Sequence, residues 1–226
     1  MHDIQKTILR KLMLSKKAKY SELKPAVIEG NLFSYHLQVL TKEKFIELKS
    51  GKYSLTFKGK RYVDGISTST FSTRAQPKIV TFLVLKDKGK YLLYKRQKMP
   101  FIDRVGFPYG KMHLEEYIGD AAKRELLEKT GLTARLKHRG IIYLTVHSEN
   151  ENNEAELVSQ MLCHIFSGTK ITGNLIQNNP EHNCFWSKLE NYKKDNLIPG
   201  VLQIEKLLKQ NKTKFFFAEF FLSDGE

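Results

Sequence analysis

Residues 105–132 set three carboxylates and an arginine at fixed spacing, Glu116, Arg124, Glu125 and Glu128, behind a loop containing Gly106, Pro108 and Gly110. The glycines and the proline make that loop irregular, so its backbone N–H groups can come close to an anion. The apolar pattern that follows predicts a helix over 118–130, with Gly131 as its stop. Glu125 and Glu128 are three residues apart and share a helical half with Ile118, Ala121, Ala122 and Leu126, the half expected to face inward. Inward carboxylates are unfavourable unless something compensates them. A divalent cation does so, since hard ions such as Mg²⁺ take carboxylate oxygen. Arg124 is placed to hold the loop through a bidentate carboxylate contact. The competing reading is an ion-paired surface helix with no chemistry of its own.

The spacing Gly110, Glu116, Arg124, Glu125, Leu126, Glu128, Gly131, Leu132 resembles the Nudix box, G-x5-E-x7-R-E-U-x-E-E-x-G-U. The resemblance extends over about 135 residues, through the strand-like segment 156–168 to the stretch 180–192, where Glu181 precedes Trp186. It implies an α/β/α sandwich with a mixed sheet and a Mg²⁺- or Mn²⁺-dependent hydrolase acting on a nucleoside diphosphate linked to another group. It further implies Glu116, Glu125, Glu128 and Glu181 as metal ligands and Glu125, Glu128 and Arg124 as the catalytic set. Gly110, Lys111, Lys129 and Arg96 (or Lys95) are expected to meet the substrate. Three positions depart from the pattern: the second Glu of the E-E pair is Lys129, and His113 and Glu115 are milder departures. An ammonium in place of a carboxylate repels a divalent ion by several kcal/mol (about 3 kcal/mol per unit pair at about 5 Å and an effective dielectric of about 20). Lys129 either pairs with Glu125 and Glu128, leaving a site that binds a diphosphate and cleaves it slowly, or bends to solvent and leaves a site with fewer ligands.

Other elements must carry this segment. Residues 79–85 and 91–94 are apolar runs joined by Asp87-Lys88-Gly89-Lys90 and read as a hairpin. Upstream, residues 66–77 are rich in Ser and Thr, lack periodicity, end in Pro77 and read as a linker. Residues 1–65 read as three short helices and a hairpin. Ile4, Ile8, Leu9 and Leu12 recur at helical spacing. A second helix is marked by Leu23, Val27 and Ile28, and a third, capped by Asn31, buries Phe33, Leu37 and Leu40. Candidate strands 45–48 and 53–56 flank a turn at Ser50-Gly51. This order is similar to a winged helix-turn-helix domain, so the expected fold class is a two-domain α+β chain: 1–65 winged helix with a β-wing, 66–77 linker, 78–212 Nudix domain, 213–226 tail. In that family the third helix enters the major groove of double-stranded DNA. Ser34, Tyr35, Gln38 and Lys42 would then face base edges, and Lys49, Lys52, Lys58, Lys60 and Arg61 would meet phosphates from the wing side. The competing reading is a winged helix used for protein contact. With DNA binding, the chain becomes a regulator whose second domain senses a nucleotide of the ADP-ribose or nucleotide-sugar type.

Charge and composition agree with these readings. Net charge is +14, and residues 1–70 hold 14 Lys and Arg against 6 Asp and Glu, a density that favours a polyanion partner at that end. No apolar stretch approaches the roughly 20 residues of a membrane span, and the N-terminus alternates charged and apolar residues rather than forming a secretory signal, so a cytoplasmic location and no membrane partner are expected. Cys163 and Cys184 make no disulfide framework and read as buried thiols. The tail packs five phenylalanines between Phe215 and Phe221, a density expected to be covered by the core or by a second subunit of a homodimer.

Overall fold

The computed structural model describes residues 1–179 and 182–224, with the side chains of 178, 179 and 182 left aside. The chain divides into two compact units, Met1–Gln76 and Pro77–Glu226.

In the first unit, α1 (Asp3–Met13), α2 (Tyr20–Leu23) and α3 (Gly30–Lys42) precede the hairpin β1 (Ile46–Lys49) and β2 (Lys52–Leu55). Ser50 and Gly51 both have positive φ, the conformation a two-residue hairpin turn needs. Ile4, Ile8, Leu9 and Leu12 of α1 meet Phe33, Leu37 and Leu40 of α3 in one buried cluster, as the periodicity predicts. Three local readings change. Helix α2 stops at Leu23 and Val27 is fully exposed, because Pro25 cannot continue the helical hydrogen bonds. The third helix begins at Gly30 with Glu29 at its N-cap position, two residues earlier than an Asn31 cap implies. Residues Phe57–Asp64, read as part of the wing, form a further helix, α4. Its start is capped by Thr56, whose hydroxyl accepts from the Gly59 N–H at 3.1 Å. Gly59 argues locally against a helix, yet a Cβ there would lie 2.0 Å from the Phe45 carbonyl oxygen, so close packing requires glycine.

The segment read as a linker is partly folded. Ile66 and Ser67 are buried, Ile66 bridges to Thr73, and the Arg74 N–H donates to the Gly65 carbonyl. Ile66 joins the core of the first unit, which draws the chain back over it.

The second unit contains β3 (Lys78–Asp87), β4 (Lys90–Arg96), β5 (Val105–Gly106), β6 (Tyr109–Lys111), α5 (Ile118–Thr130), β7 (Leu132–Glu149), β8 (Ala155–Gly173), β9 (Asn178–Asn179), β10 (His182–Ser187), α6 (Val201–Gln210) and β11 (Phe216–Ser223). Strand order is β11-β7-β8-β3-β4-β10-β9, with β5 on β4 and β6 on β3. β3 runs parallel to β8 and β11 parallel to β7, while the other pairs are antiparallel, so the sheet is mixed. Val80, Phe82 and Val84 face a cluster that includes Val201 and Ile204 of α6. Leu83 and Leu85 face Ala122 and Leu126 of α5. Alternation along β3 thus supplies both faces, and the helices form the outer layers. The aromatic tail is sheet rather than appendage: Phe216 is buried, and Phe217 and Phe221 point outward from the edge strand β11. Among the described residues no helix is long and apolar enough to cross a membrane.

Candidate functional site

Helix α5 starts and stops where the pattern predicts, with Gly131 in the left-handed conformation at φ 70° and its N–H on the Leu127 carbonyl. It packs across β3 and β6. Four residues along a helix turn by about +40° and three by about −60°, so position 129 lies nearer than 128 to the direction of position 125. The structure follows that arithmetic. Glu125 is buried, its side chain 9% exposed, and Lys129 Nζ stands 3.5 Å from its Oε2. Glu128 turns outward with 59% of its side chain exposed, which corrects the expectation of two inward carboxylates.

Gly110 explains how Glu125 is accommodated. A Cβ built there would lie 1.7 Å from the Glu125 carboxyl carbon, so the carboxyl group occupies the space the missing side chain leaves. Arg124 ties the surroundings together. Its guanidinium donates to both oxygens of Glu116 at 2.7 and 2.9 Å, to Glu125 at 2.8 Å, to Glu128 at 3.1 Å and to the Lys111 carbonyl at 3.1 Å. The bidentate contact expected of Arg124 therefore falls on Glu116, which also accepts from the His113 N–H at 3.0 Å. These bonds, Arg124 first, hold the Glu116 carboxyl down to about 2.

Beside Gly110 opens a cleft of about 420 Å³. Its lining includes the cations Lys78, Arg96, Lys98, Lys111 and Lys129, and Glu125 is its one acidic residue among those described. Burial first, and then the charges of Lys111 and Arg96, pushes the Lys78 ammonium below its usual range. The sequence motifs single out neither Lys78 nor Lys98. Period-2 alternation does carry a signal for Lys78, since it puts that residue on the same side of β3 as Val80. Arg96 lines the cleft, but its guanidinium is engaged by the neighbouring loop. Nε donates to the Pro100 carbonyl, Nη2 to Met99 at 3.0 Å and Nη1 to the Tyr109 hydroxyl at 3.1 Å. It positions the loop after β4 while lining the cleft where a substrate contact was expected of it. Glu181, expected as a metal ligand, lies outside the described residues.

The donor set can be tested against a divalent ion. Among the described residues, no three Asp, Glu, His or Cys side chains group as a metal set. Glu116, Glu125 and Glu128 all bind Arg124, and the one that is buried also faces Lys129. Two cations thus stand against three carboxylates, and the buried one is paired with both of them, so the described side chains in this arrangement are engaged with Arg124 and Lys129 and do not gather as a Mg²⁺ or Mn²⁺ ligand set.

In the first unit, Tyr35, Gln38 and Lys42 are exposed along α3. Ser34 is half-buried, with its hydroxyl 3.1 Å from that of Tyr20. Lys52 is exposed in the hairpin, and Lys49 pairs with Glu47 at 2.8 Å. Cys163 and Cys184 are buried thiols, as their composition and context predict, and burial pushes Cys163 up to about 12.

A family model described as the NUDIX domain matches residues 75–209, more than half of the chain and the whole of the cleft just described. The chain belongs to the Nudix family. Its fold is shared with a mutator MutT protein from Bacillus halodurans, 22% identical, over 66% of this chain and 93% of that one, with a TM-score of 0.51. Weaker likenesses include a MutT NUDIX hydrolase from Burkholderia pseudomallei (18% identity, 59% and 99% coverage, TM-score 0.47). Another is the NUDIX domain of Shewanella oneidensis NrtR, solved with ADP ribose (18% identity, 68% and 97% coverage, TM-score 0.47). No curated protein matches the chain. Nudix hydrolases generally use divalent metals such as Mg²⁺ or Mn²⁺.

Proposed function

We propose that the Nudix unit binds a nucleoside diphosphate linked to another group, of the ADP-ribose or nucleotide-sugar type, and hydrolyses it slowly. The observation that carries this reading is the Glu125–Lys129 pair at the wall of a cationic cleft. A diphosphate brings two negative charges, and Lys78, Lys98, Lys111 and Lys129 offer ammonium groups to its oxygens, relieving their mutual repulsion. Gly110 keeps the wall open to Glu125, the cleft carboxylate able to accept a proton from an attacking water. Arg124 holds Glu116 and the Lys111 carbonyl, and so the shape of the loop around the bound phosphates. With Lys129 supplying charge where the family pattern has a carboxylate, affinity depends little on a divalent ion. Calorimetry with ADP-ribose and with a nucleotide sugar, in chelator and in Mg²⁺, tests this. Comparable binding in both conditions with slow product release supports it, and binding that appears only with Mg²⁺ refutes it.

A second reading concerns the first unit. The order α1, α2, α3, hairpin, with Tyr35, Gln38 and Lys42 exposed along α3 and Lys52 exposed at the start of β2, favours a winged helix that binds duplex DNA. The whole chain is then a regulator whose DNA affinity answers to the nucleotide. Gln38→Ala with Lys42→Ala should weaken duplex binding and flatten its salt dependence by about one charge. Binding unaltered by that pair would leave the unit a protein-contact module.

A further inference from the structure

A second concavity, of about 480 Å³, lies in the same unit and shares no lining residue with the cleft. Four cations line it, Arg135, Lys137, Arg139 and Lys212, with the hydroxyls of Ser167 and Thr169, and no acidic side chain does. The β7–β8 register builds it. Arg135 stands opposite Thr169 and Lys137 opposite Ser167, so these four side chains share one face of the sheet. Further back along β8 the same face buries Cys163 and Ile165 in the core. Past the end of α6 it turns from apolar to hydroxyl and cation.

Arg139 is fixed rather than loose. It falls at the irregularity between His138 and Gly140, and its Nη2 donates to the carbonyls of Asn211 and Lys212 at 2.6 and 2.8 Å. Its Nη1 lies 3.4 Å from Ser167 Oγ. That clamp brings the segment carrying Lys212 to the rim. Among the described residues, Arg135, Lys137 and Lys212 enter no ion pair. Three cations gathered without a counter-charge in a concave, hydroxyl-lined surface repel one another, and a multiply charged anion relieves them.

We propose that this concavity is a second anion site, built for a compact polyphosphate group such as a di- or triphosphate. Guanidinium and ammonium groups meet the phosphate oxygens, and the Ser167 and Thr169 hydroxyls donate to them. The volume suits a group of that size, whereas a nucleic-acid backbone would follow an extended track. The site stands whether or not the cleft binds a nucleotide.

The test is calorimetry on the full chain with inorganic triphosphate, at low and at physiological salt. The unaltered chain, Arg135→Gln with Lys137→Gln, and Lys78→Gln with Lys111→Gln are compared. The Arg135/Lys137 variant should lose affinity by about tenfold for each charge removed, the size of a partly screened contact. The Lys78/Lys111 variant should keep this class of binding, and orthophosphate should bind more weakly than triphosphate. If circular dichroism shows the double variant unfolded, Lys212→Gln, at an exposed position after α6, supplies the same readout. Triphosphate binding unaffected by Arg135/Lys137 and by Lys212 overturns the proposal. So does a short DNA duplex that binds through Arg135 and Lys137 when triphosphate does not.

Discussion

Glu125 lays its carboxyl group in the space that a side chain on Gly110 would fill: a Cβ on the glycine would sit 1.7 Å from both Cδ and Oε2 of the glutamate. A strand glycine and a helix carboxylate 15 residues apart in the chain thus specify one another. Gly110→Ala must displace a buried charged group that contacts Arg124 and Lys129. A loss of about 1–3 kcal/mol is expected, the usual range for overpacking, together with weaker nucleotide binding. Chemical denaturation and calorimetry on one preparation measure both, and an alanine variant as stable as the parent would mean that Glu125 has somewhere else to go.

Lys129→Glu converts the motif to the family pattern at its one charge-reversed position. Removing an ammonium and adding a carboxylate changes local charge by two units beside Glu125, enough to raise Mg²⁺ or Mn²⁺ affinity by about tenfold or more. Product release from a nucleoside diphosphate should rise with it. Metal titration followed by a turnover assay reads the two effects separately, and metal affinity unmoved by the substitution would remove Lys129 as the cause.

Glu116 gives the unit an acid-sensitive anchor. Its carboxyl is held at about 2 rather than the ordinary 4.5, by Arg124 first and then by the His113 N–H. Because the folded value is depressed, the stabilisation is fully present above 4.5 and is lost as pH falls from there toward 2. Glu116→Gln should therefore be less stable than the parent at neutral pH and should show a shallower decline across that window. Urea midpoints taken from pH 6 down to pH 3 supply the comparison, and parallel curves would contradict it.

His138 and His164 stand with Nε2 and Nδ1 3.2 Å apart, and His138 stacks on Phe166. Burial lowers both below the ordinary 6.5, and His138 lowers His164 further. A histidine with a depressed folded value resists protonation, so the fold loses stability as pH falls through 6.5. Melting temperatures at pH 7.5 and 5 should differ by less in His164→Gln than in the parent, and an equal drop would place the acid sensitivity elsewhere.

Much of this molecule was legible along the chain. The bounds of α5, the stop at Gly131, the β3–β4 hairpin, the turn at Ser50-Gly51 and the stripe Phe33, Leu37, Leu40 all depend on neighbours a few residues away. The glutamate and arginine spacing that places the chain in the Nudix family is local in the same sense. Helix α4 was hidden because Gly59 weakens the helical signal, and the need for glycine comes from Phe45, which only packing brings near. The tail's composition predicted cover for its phenylalanines, but not a parallel pairing with β7.

From sequence alone came the inventory: which charges the chain carries, in what order, and on which elements they ride. Only the tertiary structure decided which of them meet across the fold. Where α5 crosses β6 selects Glu125 and Lys129 for the cleft and leaves Glu128 in solvent. The path of the loop after β4 takes Arg96 for its own carbonyls, and the meeting of strands brings Lys78 to the same cleft. The reason is range. Helical and strand periodicity act over a few residues, whereas an ion pair or a shared cavity is set by where distant segments meet, and no local pattern encodes that distance.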